Sequence, residues 1–152
     1  MSCDVAAAGM LFLASLAPAP KPASAPAYPQ FATGASAVAQ EPLFRQIVRD
    51  ARALSAEVKR LDQAEKPDLR PLREQLPLLA AEDLKAHFLL AKRGTDGDLK
   101  CILRGISQDL PLKLAALEAA ASPEARHAAL TDLGYLLRDN VEVILAPPSP
   151  PV

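Results

Sequence analysis

The sequence predicts an all-α protein: an antiparallel bundle of about four helices, the second broken by prolines, with a disordered Ala/Pro-rich amino-terminal arm and a Pro-rich carboxy-terminal tail. Two observations carry this expectation. From Phe44 onward, apolar side chains recur at steps of three and four, the spacing that keeps them on one face of a helix. No stretch of useful length alternates apolar and polar residues with the period of two that a half-buried strand needs. The clearest stripe is Leu99, Leu103, Ile106, Leu110, Leu114 and Leu117. It is followed, across a tight link at Ser122-Pro123, by Leu130, Leu133, Leu137, Val141 and Ile144. Two such stripes cannot each face water, so they pack against each other and against the rest of the chain.

Residues 1–41 read as the arm. The first 42 residues hold six of the fifteen prolines and three charged residues, Asp4, Lys21 and Glu41, and Ala17 to Pro29 has the composition of an extended linker. Val5 to Ala17 is a thirteen-residue run without a charge, too short to span a membrane as a helix. It has the length of a signal-peptide core, which keeps a periplasmic or secreted location open as the alternative to a cytoplasmic one. Asp4 with no preceding Lys or Arg, and prolines beside the nearest small-residue sites, favour a short apolar helix that docks on the bundle or on a partner.

The bundle is expected over residues 42–146. Pro42 suits a first helical turn, where its missing N–H costs nothing, and Phe44, Ile47, Ala51, Leu54, Val58 and Leu61 form a heptad seam to about Ala64. Pro67, Pro71 and Pro77 predict a short helix or turn at 68–76 and a separate helix at about 78–93, with Ala80, Leu84, Phe88 and Ala91 as the apolar edge of the latter. Gly94 reads as a carboxy-terminal cap and Asp98 as the cap of a helix starting at Leu99. Pro111 predicts a kink or brief restart in that helix. Ser122, Pro123 and Glu124 are the clearest helix start in the chain, and the last helix is expected to reach Ile144. Residues 147–152 then form a disordered, polyproline-like tail.

Charge and chemistry exclude several function classes. The net charge is −1 and aromatic residues make up 4%, with no Trp, so neither a phosphate-tracking surface nor a base-stacking platform is indicated, and nucleic acid is not the expected partner. Two cysteines and two histidines offer no metal-ligand spacing, and no Cys-x-x-Cys-His, Glu-x-x-His pair or glycine-rich phosphate loop is present, so no metal or cofactor is expected. His87 and His127 stand in no nucleophile signature, and adjacent carboxylates such as Glu82-Asp83 point in different directions on a helix.

Two sets of residues stand out. Arg45, Arg49, Arg52 and Lys59 share one stripe of the first helix and are candidates for contacting an acidic protein partner, the alternative being a solvated face neutralised by Glu41, Asp50 and Glu57. Cys101 lies at a helix start between Lys100 and Arg104, where the positive helix end and the cations favour thiolate. With Cys3 it is the redox candidate, closing a bridge within the chain or linking a homodimer under oxidation, the alternative being a cysteine that simply packs. The functional expectation is a non-catalytic helical adaptor or regulator of a larger protein. The rival is a small-molecule or cofactor binder whose bundle interior holds a ligand near His87.

Overall fold

The computed structural model describes residues 37–94 and 97–147, so the arm as far as residue 36 and the tail beyond Pro147 lie outside the described part. Four helices follow in order, α1 (Pro42–Asp62), α2 (Arg70–Arg93), α3 (Gly97–Glu118) and α4 (Pro123–Leu145), preceded by a short 3-10 turn at Ala37–Gln40. They pack as a ring, each helix against the next and α4 against α1, which leaves α1 and α3, and α2 and α4, on the diagonals. Connections this short reverse the chain at each step, so neighbours run antiparallel. No strand occurs among the described residues, and no helix there is long and apolar enough to cross a membrane.

Local chemistry sets the helix ends. Pro42 and Pro123 occupy first-turn positions, and Ser122 accepts a hydrogen bond from the Ala125 amide at 3.1 Å, satisfying a donor that the helix itself cannot. Asp68 does the same for α2, accepting from the Arg70 amide at 3.1 Å. Gly94 ends α2 at φ 69, a left-handed conformation that only glycine adopts without strain, and its N–H meets the Leu90 and Ala91 carbonyls. α3 begins at Gly97, earlier than expected, which makes Asp98 a first-turn residue favoured by the helix dipole. The packed body also begins earlier than residue 42, because Val38 and Ala39 of the 3-10 turn are buried.

The expected break of the second helix does not occur. α2 runs unbroken from Arg70 to Arg93 with Pro77 inside it, and α3 runs through Pro111 without a restart. Both prolines sit on exposed positions, and the carbonyl that Pro77 leaves unpaired belongs to the exposed residue Arg73. Buried leucines on the opposite face, Leu72, Leu76 and Leu79 around Pro77 and Leu110 and Leu114 around Pro111, offset the roughly 3 kcal/mol that an interior proline costs.

The expected inner stripes of α1 and α3 are buried at every position. The expected edge of α2 is not. Leu84, Phe88 and Ala91 are exposed, and the inner face is instead Leu72, Leu76, Leu79, Ala80, Asp83, Ala86 and Leu90. A carboxylate in the middle of that run hides its apolar period. On α4, Val141 is half-buried and Asn140 takes the fully buried place beside it.

Asp83 and Asn140 meet across the diagonal, Asn140 Nδ2 donating to Asp83 Oδ2 at 2.8 Å with both residues 0% exposed. Burial pushes the Asp83 carboxyl up to about 8; the Asn140 bond opposes this and neighbouring Glu82 adds to it. Asp83 Oδ1 and Asn140 Oδ1 are both left without partners. Both oxygens are acceptors while Asp83 is ionised, and protonation of its carboxyl removes the buried charge and turns an acceptor into a donor. On an adjoining side, Glu82 of α2 faces Asp50 of α1, and burial together with that carboxylate raises its pKa as well.

Two predictions follow from these contacts. A carboxyl whose pKa is raised on folding stabilises the native state fully at acid pH, and that contribution is lost as pH climbs from the unfolded value near 4 through about 8. Asp83→Asn keeps the shape and an oxygen to accept from Asn140 Nδ2, without a titrating proton. In urea unfolding it is expected to match wild type near pH 4 and to exceed it by on the order of 3–5 kcal/mol at pH 8 to 9; a difference that stays flat with pH would show that Asp83 ionises normally. Ser122→Ala is expected to lower unfolding free energy by about 1 kcal/mol at any pH by the same measurement.

Candidate functional site

Each interface of the ring carries a polar tie: Glu41 to Arg93 for α1 and α2, Arg73 to Glu118 for α2 and α3, Lys113 to Asp132 for α3 and α4, and Asp62 to His127 for α1 and α4. Exposed pairs of this kind contribute little stability, but they mark the register of neighbouring helices. The Asp62 to His127 contact, 2.7 Å from Oδ1 to Nδ1, closes one end of a concave feature between α1 and α4.

That feature is an open groove of about 430 Å³. Its floor is apolar, made by Val58 of α1 and by Leu130, Leu137 and Val141 of α4. Gly134 keeps it open: a Cβ there would stand 3.6 Å from Val58 Cγ1, in ordinary contact, so a longer side chain would fill the space. Arg52 and Lys59 rise from α1 on one wall and Arg138 from α4 on the other, against the single carboxylate of Asp62. Arg138 lies over the Tyr135 ring, 4.5 Å from its centroid, which holds guanidinium and phenol as one rim element. Arg138 also approaches Glu142, at 3.7 Å. An apolar floor between cationic walls suits a ligand with an apolar face and carboxylates beside it.

The four basic residues singled out in the sequence are thereby divided. Arg45, Arg52 and Lys59 fall on one line of α1 at seven-residue steps, all exposed, and none makes an ion pair among the described residues. Arg52 and Lys59 line the groove, whereas Arg45 lies beyond its lining residues. Arg49 leaves the line: it bonds Gln46 and approaches Asp50 at 3.7 Å. Sequence reading missed the α4 half altogether. Tyr135, Thr131 and Arg138 are spaced as neighbours on one helix face, but nothing local says that this face borders α1.

Cys101 is half-buried on α3, and Cys3 lies outside the described residues. His87 is half-buried, and its Nδ1 donates to the Lys100 carbonyl at 2.7 Å. A carbonyl can only accept, so Nδ1 carries a proton, and the ring ties α2 to α3. Among the described residues no three His, Cys, Asp or Glu side chains gather as a metal site. The interior around His87 is leucine-packed, with Leu90, Leu99 and Leu103 fully or nearly fully buried.

No family model matches the chain, and neither a curated protein nor a solved structure shows significant similarity to it.

Proposed function

We propose that the protein is a non-catalytic helical interaction module, an adaptor or regulator that holds an acidic, amphipathic helical segment of a larger protein in the α1/α4 groove. The observation that supports this reading is the pairing of an apolar floor with Arg52, Lys59 and Arg138 on its walls, against Asp62 in the lining and Glu142 beside Arg138. A helix laid in the groove buries one apolar face against Val58, Leu137 and Val141 and sets its carboxylates against the guanidinium and ammonium groups. The rims are exposed, so the charges act more on encounter rate and partner choice than on raw affinity. The helical body as a whole is charge-balanced, with sixteen Lys or Arg and sixteen Asp or Glu from Leu43 to Ala146. The excess of cations is thus a local property of this surface.

The probe for the test is a labelled synthetic helical peptide with leucines on one face and glutamates on the other, compared with its lysine-for-glutamate counterpart by fluorescence anisotropy. The acidic peptide is expected to bind the full chain, to weaken as salt rises, and to lose roughly 10- to 100-fold in affinity against an Arg52→Glu, Arg138→Glu double variant. Both side chains are exposed, so the thermal midpoint of that variant is expected to stay near wild type. Equal binding of the two peptides, or undiminished binding by the double variant, overturns the proposal.

A further inference from the structure

The outer side of α2 bears a second apolar stripe that the bundle core leaves unused. Pro77, Ala81, Leu84, Phe88 and Ala91 are exposed, Phe88 at 61%, and step by four, three, four and three residues, the spacing of a helix-pairing seam. The stripe leans toward α3. Phe88 packs its ring against His87 with centroids 5.1 Å apart, and His87 is bonded to the carbonyl of Lys100, the residue directly before Cys101. Phe88 and Cys101 therefore occupy the same level of the α2/α3 pair.

We propose that residues 5–17 of this same chain fold as a helix onto the α2 stripe, bringing Cys3 beside Cys101. Length agrees: thirteen helical residues extend about 20 Å, and Pro77 to Ala91 covers about 21 Å. Chemistry agrees as well. The segment has no charge from Val5 to Ala17, which matches an uncharged stripe and not the cationic α1/α4 groove. Topology permits it, because Glu41 is paired with Arg93 at 2.7 Å and the described chain therefore enters at the end of the bundle where α2 stops and α3 begins. Residues 18–36, at about 3.1 Å each when extended, reach roughly 60 Å, enough to run the length of the stripe and back. Tethering of this kind gives a millimolar effective concentration, which favours the chain's own segment over a second copy at ordinary protein concentrations.

Hydrogen exchange on the full chain, with intact mass confirming that residues 1–17 are present, tests the docking directly. Amides of residues 5–17 are expected to exchange about 10-fold or more slowly than in the isolated peptide, independently of protein concentration. Leu84→Glu with Phe88→Glu, both exposed positions, is expected to abolish that protection while the core amides of α1 and α3 stay protected. A second readout uses the thiols. Starting from reduced protein, oxidised glutathione accepts two electrons in forming a Cys3 to Cys101 disulfide, and two glutathione thiols are released for the two cysteine thiols consumed. This closure is expected to slow about 10-fold in the same double variant. Protection that grows with protein concentration, protection or closure indifferent to Leu84→Glu and Phe88→Glu, exchange at the isolated-peptide rate, or a chain matured without residues 1–17 each overturns the proposal.

Discussion

The buried contact between Asp83 and Asn140 is the constraint on which the arrangement of the bundle depends. α2 and α4 stand on a diagonal and share no backbone proximity, so this one hydrogen-bonded pair joins them through the centre. Leucines surrounding it are interchangeable by a turn or a small rotation at modest cost, because apolar contacts have no direction. A carboxyl and a carboxamide are not. Any slip of α2 against α4 leaves both groups dry and unpaired, at a cost of 1–3 kcal/mol for each lost partner. The pair therefore selects one register among several that apolar packing alone would tolerate, the role best attested for buried polar groups in helical assemblies.

That choice decides what α2 shows to the outside. The helix carries two apolar stripes on different faces, and both cannot be inside a four-helix ring. Turning Asp83 inward commits Leu76, Leu79, Ala86 and Leu90 to the core and leaves Leu84 and Phe88 in water. The same register brings His87 to the Lys100 carbonyl and Arg73 to Glu118. On the opposite side of the ring, the packing of α4 against α1 places the side-chain-free position at Gly134 next to Val58, and a groove results where a larger residue would have closed the surface.

Much of the fold was legible because its signals are local. Ser122, Pro123 and Gly94 satisfy or remove backbone donors and acceptors within a few residues of themselves, and the α1 and α3 stripes need only the helical period to be seen. The prolines misled for an equally physical reason. The cost of Pro77 is local, whereas the burial that offsets it lies in Leu72, Leu76 and Leu79 meeting other helices. The candidate site was half legible. Arg52 and Lys59 stand out as a cationic line on α1, but Arg138, Tyr135 and the apolar floor acquire meaning only when α4 lies alongside.

By itself the sequence determined that the chain is helical, where three of the four helices start or stop, and which faces of α1 and α3 turn inward, since period and capping are properties of neighbouring residues. Tertiary structure alone decided that α2 is one helix, that its polar-interrupted stripe is the buried one, and that Asp83 is held against Asn140. It also decided that the two halves of the α1/α4 groove belong together. These outcomes depend on side chains far apart in sequence competing for one interior, and the competition is settled by which arrangement leaves the fewest dry polar groups unpaired.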